Sequence, residues 1–168
     1  NHFNVPWQGS HDEGTFLTSW KDYYRITKDT RVIRLAKNLR DSFVEWARSN
    51  MLHGYHKRAD VHHGTEHYVI FLNWLSRIEP KDRLTNDAII DAAHHIGNWV
   101  DEIPCWYDWD GKRFLSVRLG TEYTGDEGLN IVDHLRLVHL ALIAYRIFRE
   151  DQYLDWACQY GSEWAKAI

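Results

Sequence analysis

Residues 64–100 read GTEHYVIFLNWLSRIEPKDRLTNDAIIDAAHHIGNWV, and this stretch decides the fold. Val69, Ile70, Leu72, Trp74, Leu75 and Ile78 recur at helical spacing, in a helix that Gly64-Thr65 opens. Pro80 stops that helix, because proline lacks an N–H and its ring clashes with the preceding turn. Asn86 starts a second helix carrying Ile89, Ile90, Ala93, Ile96, Trp99 and Val100. Two such helices with a short connection form an antiparallel helical hairpin.

The same unit recurs on both sides. Upstream, Phe16, Trp20, Tyr23, Tyr24 and Ile26 predict a helix over roughly 15–28. Asp29 or Thr30 then caps a helix with the stripe Val32, Leu35, Ala36, Leu39, Phe43, Trp46 and Ala47. Downstream, Gly128 precedes a helix from Leu129 to about Arg149, apolar almost all round. Asp151 caps a sixth helix with Tyr153, Leu154, Ala157 and Trp164. The hairpins therefore cover about 15–48, 65–100 and 129–167. Their first helices end in Arg25-Ile26, Arg77-Ile78 and Arg146-Ile147, followed by Asp29, Asp82 and Asp151. The second helix shows a polar face and reads as outer; the first and fifth read as inner. One segment breaks the pattern. Residues 104–119 read as a β-hairpin insertion, with Asp110-Gly111 as a two-residue type I′ turn.

Composition narrows the class. The chain has 168 residues, 44% hydrophobic and 26% charged, which excludes disorder and fits a packed core. No apolar run reaches membrane-spanning length, so no membrane partner is expected. A net charge of -4 without a basic block speaks against nucleic acid. Cys105 and Cys158 have neither a disulfide framework nor metal-finger spacing. The 9 Trp and 11 His read either as a Trp-rich helical core or as a cleft lined by flat apolar faces and titratable groups.

The loops entering the inner helices read His11-Asp12-Glu13-Gly14-Thr15, His62-His63-Gly64-Thr65-Glu66 and Gly125-Asp126-Glu127-Gly128-Leu129. If the hairpins pack side by side, these three polar clusters meet on one rim.

An all-α array of inner and outer helices with polar loops at one end resembles the (α/α) toroids of carbohydrate-active enzymes. Those include polysaccharide lyases and several glycoside hydrolases. The match is one of architecture, carried by the hairpins ending Tyr24-Arg25-Ile26, Ser76-Arg77-Ile78 and Tyr145-Arg146-Ile147. A closed toroid of this kind has twelve helices, and six are counted. The chain is therefore expected to be a partial or open toroid within a longer protein, whose remaining half is a partner. The substrate class implies a secreted or periplasmic setting.

The resemblance implies a polysaccharide lyase cleaving a uronic-acid polysaccharide by β-elimination. That reaction needs a base, an acid and a neutraliser for the substrate carboxylate. His62 and His63 are the proton-transfer candidates, Tyr123 their partner, and Arg118 the group that pairs with the carboxylate. A glycoside hydrolase is the alternative, using a carboxylate pair drawn from Asp12, Glu13, Glu66, Asp126 and Glu127. Those acids would also serve as ordinary helix caps. A non-enzymatic α-solenoid scaffold is the third reading, marked by an aromatic stripe without clustered titratable groups. Trp106 and Trp109 on the insertion are candidates for stacking on sugar rings, with Asp12 and Glu13 as further substrate contacts. The metal candidate is the pair His63 and His67, at i and i+4 around Glu66. A second pair is His53 and His56; neither has a third ligand at a recognised spacing. His94-His95 read as outer-helix residues, with Ile96 taking the core position. His134, on the long inner helix, is held in reserve.

Overall fold

Asp29, Asp60 and Asp82 each stand one residue ahead of a helix and cap it. Their carboxylates accept hydrogen bonds from Arg31 N–H, His63 N–H and Thr85 N–H respectively. Such caps satisfy amides that have no partner inside the helix. The computed structural model describes residues 12–122 and 130–167. Its helices are α1 (Asp12–Thr18), α2 (Lys21–Thr27), α3 (Thr30–Asn50), α4 (Val61–Glu66), α5 (Asn73–Ile78), α6 (Arg83–Ala93), α7 (Leu135–Phe148) and α8 (Asp151–Lys166). A π-helical stretch, His67–Leu72, joins α4 to α5, and a 3₁₀ turn, Val132–His134, leads into α7. The fold is mostly helical, as the sequence predicts for an all-α protein.

Several boundaries differ from the sequence reading. The first helix is two, α1 and α2. Thr18 and Ser19 hydroxyls donate to the carbonyls of Thr15 and Phe16, drawing the backbone out of its helical ladder. The third helix starts at Val61, ahead of Gly64, because Asp60 supplies the cap. His62 and His63 thus sit in a helical first turn and not in a loop. The fourth starts at Arg83, for the same reason at Asp82. The sixth has Glu150 at its cap position, with Asp151 already helical and no side-chain cap bond.

Helices α1, the π stretch and α7 touch in sequence. Helix α6 packs on both the π stretch and α7, α3 on α1 and α5, and α8 on α7. Gly14 lets α1 approach closely, since a Cβ there would strike the Phe71 ring. The core runs through Phe71, Leu72, Leu75, Ile89, Ala92, Leu137, Leu140, Ala144 and Trp156. Two polar ties cross it. Arg40, buried on α3, binds Asp82 at 2.5 Å and the Thr85 hydroxyl at 2.9 Å. Arg146 on α7 donates to Ser76 Oγ at 2.7 Å and Asn73 Oδ1 at 3.2 Å.

The insertion forms β2 (Tyr107–Asp108) and β3 (Arg113–Phe114), antiparallel, with Tyr107 opposite Phe114. The turn between them has four residues, not two. The Asp108 carboxylate accepts from the amides of Asp110 and Gly111, and Lys112 takes the left-handed conformation. The hairpin lies against α8, where Tyr107 and Phe114 pack on Trp156 and Tyr160. A second pair, β1 (Ala59–Asp60) and β4 (Arg118–Leu119), joins the end of the insertion to the start of α4.

Among the described residues no helix is long and apolar enough to cross a membrane. Phe16, Trp20, Tyr23, Ile26 and Leu35 are exposed at the α1–α3 end, and Val132, Leu135 and Leu142 on and just before α7. Trp20, one of the apolar residues at helical spacing, is on the surface. The cysteines are exposed and unbridged.

Candidate functional site

Helix α4 concentrates titratable groups at its first turn. Its residues 62 and 66 are four apart and share a face. His62 Nε2 lies 2.8 Å from Glu66 Oε1. The imidazole is 42% exposed, whereas the carboxylate is only 8% exposed. Arg136, entering from α7, brings a guanidinium nitrogen to 3.9 Å from the same oxygen. His63 Nδ1 lies 2.7 Å from Asp60 Oδ2, and its ring meets that of His62 edge-on at 5.0 Å. Asp60 is held below the usual carboxylate range. Its burial opposes this, but the His63 amide and imidazole bonds outweigh that burial. Across the β1–β4 pair, Arg118 stands opposite Asp60. Two histidine–carboxylate pairs and Arg136 thus gather at this end of α4, with Arg118 on the neighbouring strand.

This arrangement can perform proton transfer. In the neutral tautomer that faces a carboxylate acceptor, the hydrogen sits on Nε2 and Nδ1 keeps the lone pair. A buried carboxylate behind an exposed imidazole fixes ring orientation and tautomer, as in other histidine-based sites.

The other sequence candidates are placed as follows. Asp12 and Glu13 form the first turn of α1. Gly14 of that turn packs against Phe71, nine residues on from His62. Tyr123, Asp126 and Glu127 lie outside the described residues. Trp106 is a correction: it is 2% exposed and does not form part of an open aromatic strip. Its indole donates to the Gly120 carbonyl at 3.2 Å and packs edge-on against Tyr55. Trp109 is partly exposed, with its N–H bound to the Gly97 carbonyl. The His63–His67 pair does not form a ligand set. Asp60 engages His63, while His67 is buried with its ring 4.8 Å from Phe43. His134 is fully buried and stacked on Phe114 at 4.0 Å, far from a reactive role.

A second cluster was not assembled by sequence reasoning. His53, Asp91 and His95 each bring one ligating atom within 4.8 Å of the others. His53 Nδ1 is 2.8 Å from Asp91 Oδ1. His95 is 2% exposed, against the surface position expected, and neither ring nitrogen has a hydrogen-bond partner. Burial, reinforced by the neighbouring His53 and His94, pushes His95 down to about 3, so its imidazole is neutral. His56 faces Trp46 and takes no part. The signals available in the sequence were the i, i+4 spacing of Asp91 and His95 and the His53-Gly54 dipeptide. Both residues take left-handed φ values, +50° and +81°, in a tight turn where Leu52 and Tyr55 exchange backbone hydrogen bonds. Two tyrosines hold that turn. Tyr68 donates to the Gly54 carbonyl at 2.6 Å, and Tyr55 donates to the Ala92 carbonyl at 2.8 Å. Beside it opens a cleft of about 480 Å³, lined by Met51, His53, Gly54, Tyr68, Asp87 and Asp91 among others.

Comparison with protein-family models, curated proteins and solved structures finds no match to this chain.

Proposed function

We propose that this protein is a polysaccharide lyase acting on a uronic-acid polysaccharide, within a partial (α/α) toroid. One observation carries the reading: a buried Glu66 carboxylate 2.8 Å from an exposed His62 imidazole, with Arg136 beside it and Arg118 on the neighbouring strand opposite Asp60. In β-elimination the base takes the proton α to the substrate carboxylate. The C–H electrons form a C=C bond, the glycosidic C–O bond breaks, and the leaving oxygen takes a proton. His62 Nδ1 is the base, and Glu66 is the positioning residue behind it. The arginines supply positive charge for the uronate carboxylate, which favours the anionic intermediate. Tyr123 is the sequence's candidate for the final proton. A hydrolase reading finds less support, because Glu66 and Asp60, the carboxylates on this surface, are each engaged by a histidine.

The exposed apolar side chains at the two ends of the array fit a toroid completed by further helical hairpins of the same polypeptide. The test is incubation with a panel of uronic-acid polysaccharides. Ultraviolet absorbance of an unsaturated product supports a lyase, reducing ends without it indicate a hydrolase, and reaction on neither favours a binding scaffold.

A further inference from the structure

We propose that His53, Asp91 and His95 bind one divalent transition-metal ion, with a coordination position open to the adjoining cleft. The site is separate from the His62 surface and goes beyond the lyase reading.

The ligand chemistry is specific. Two imidazoles and one carboxylate are the donor set of catalytic zinc sites, which keep a fourth position for water or substrate. The same set holds non-haem iron(II). The ligands come from rigid parts of the fold. Asp91 lies in the last turn of α6, His95 four residues later, and His53 on the turn clamped by Tyr55 and Tyr68. His53 adopts a left-handed conformation disfavoured for a non-glycine residue, and that conformation sets it against Asp91.

His95 is the independent pointer. Its imidazole is buried with both nitrogens unpartnered, and one of them faces Asp91 and His53. A buried polar group in that condition calls for a ligand. Bonds of about 2 Å in a tetrahedral site place ligand atoms about 3.3 Å apart. The present spread of up to 4.8 Å closes to that value by side-chain rotation of Asp91 and His53, which are 49% and 29% exposed. The metal replaces the proton shared by His53 and Asp91. The open position then faces the cleft of about 480 Å³, where Asp87 and the His53-Gly54 turn form the wall.

The test is titration of chelator-treated protein with Zn²⁺ and, separately, Co²⁺. One equivalent is taken up, with visible Co²⁺ absorption of a four- or five-coordinate site. His53→Gln and Asp91→Asn, both at partly exposed positions, each weaken binding at least tenfold. Circular dichroism checks that they remain folded. An observation on the unsubstituted protein backs the variants: Zn²⁺ shifts the imidazole NMR signals of His53 and His95 and leaves those of His62 and His63 in place. Absence of stoichiometric uptake overturns the proposal. So does uptake unaffected by both substitutions, or Zn²⁺ shifts confined to His62 and His63.

Discussion

His62 Nε2 and Glu66 Oε1 are 2.8 Å apart, with the imidazole open to solvent and the carboxylate buried behind it. If this pair is the proton-transfer machinery, its members differ in kind. His62→Gln removes the base and lowers kcat on a uronic-acid polysaccharide by about 10²–10⁴. Glu66→Gln keeps the ring in place but loses the ionised partner, so kcat falls while KM stays near its original value. Steady-state kinetics on both variants check this. A Glu66→Gln variant with unchanged kcat contradicts the positioning role.

The Arg40–Asp82 tie governs stability. Replacing Asp82 by Ala leaves a buried guanidinium without its main partner and removes the α6 cap, at a cost of roughly 3 kcal/mol or more. Burial alone raises Asp82, but the Arg40 bond, the Thr85 amide and the charges of Arg40 and Lys37 outweigh it and hold the carboxyl below its ordinary 3.8. Its stabilisation is therefore full above that value and is lost as the pH falls below it. Urea midpoints at pH 7 and pH 3 show the loss, and Asp82→Asn reduces it.

His134 gives an earlier acid sensitivity. Burial pushes it from 6.5 down to about 4, against the upward pull of the Ser116 carbonyl and Asp133. Below pH 6.5 the unfolded chain takes up a proton that the folded chain refuses, so stability falls between pH 6.5 and 4. In the metal-free protein His95 adds to the same slope. Denaturation curves across this range check it, and His134→Asn flattens them.

The His53-Gly54 turn is sensitive to one methyl group. Gly54→Ala places a Cβ against the Tyr68 hydroxyl at φ +81°, and costs about 1–3 kcal/mol. Thermal melts read the loss, and Zn²⁺ affinity falls with it because His53 is displaced.

Exposed apolar side chains at both ends of the array predict concentration-dependent self-association of these 168 residues. Sedimentation equilibrium reads a mass above 20.0 kDa. A monodisperse 20.0 kDa monomer counts against the partial toroid.

Local rules made part of this structure legible. Asp29 caps the helix expected of it, whereas the i, i+4 pair that the structure forms is His62 with Glu66 and not the expected His63 with His67. Where sequence failed, a competing interaction won. Asp60 caps the third helix, which therefore begins three residues earlier than Gly64 implies. Trp106, a candidate for stacking on sugar rings, is instead buried by Tyr55 and Gly120, distant in sequence. The His53–Asp91–His95 cluster joins a turn to a helix end 38 residues on. Asp91 and His95 stand four residues apart, but no short spacing brings His53 to them.

The central claim is elimination by a base at His62. The most direct measurement follows ultraviolet absorbance of the unsaturated uronate product, for the unsubstituted protein and for His62→Gln. A rising signal with the former and none with the latter is the predicted result. Product formed equally by both, or reducing ends without absorbance, contradicts it.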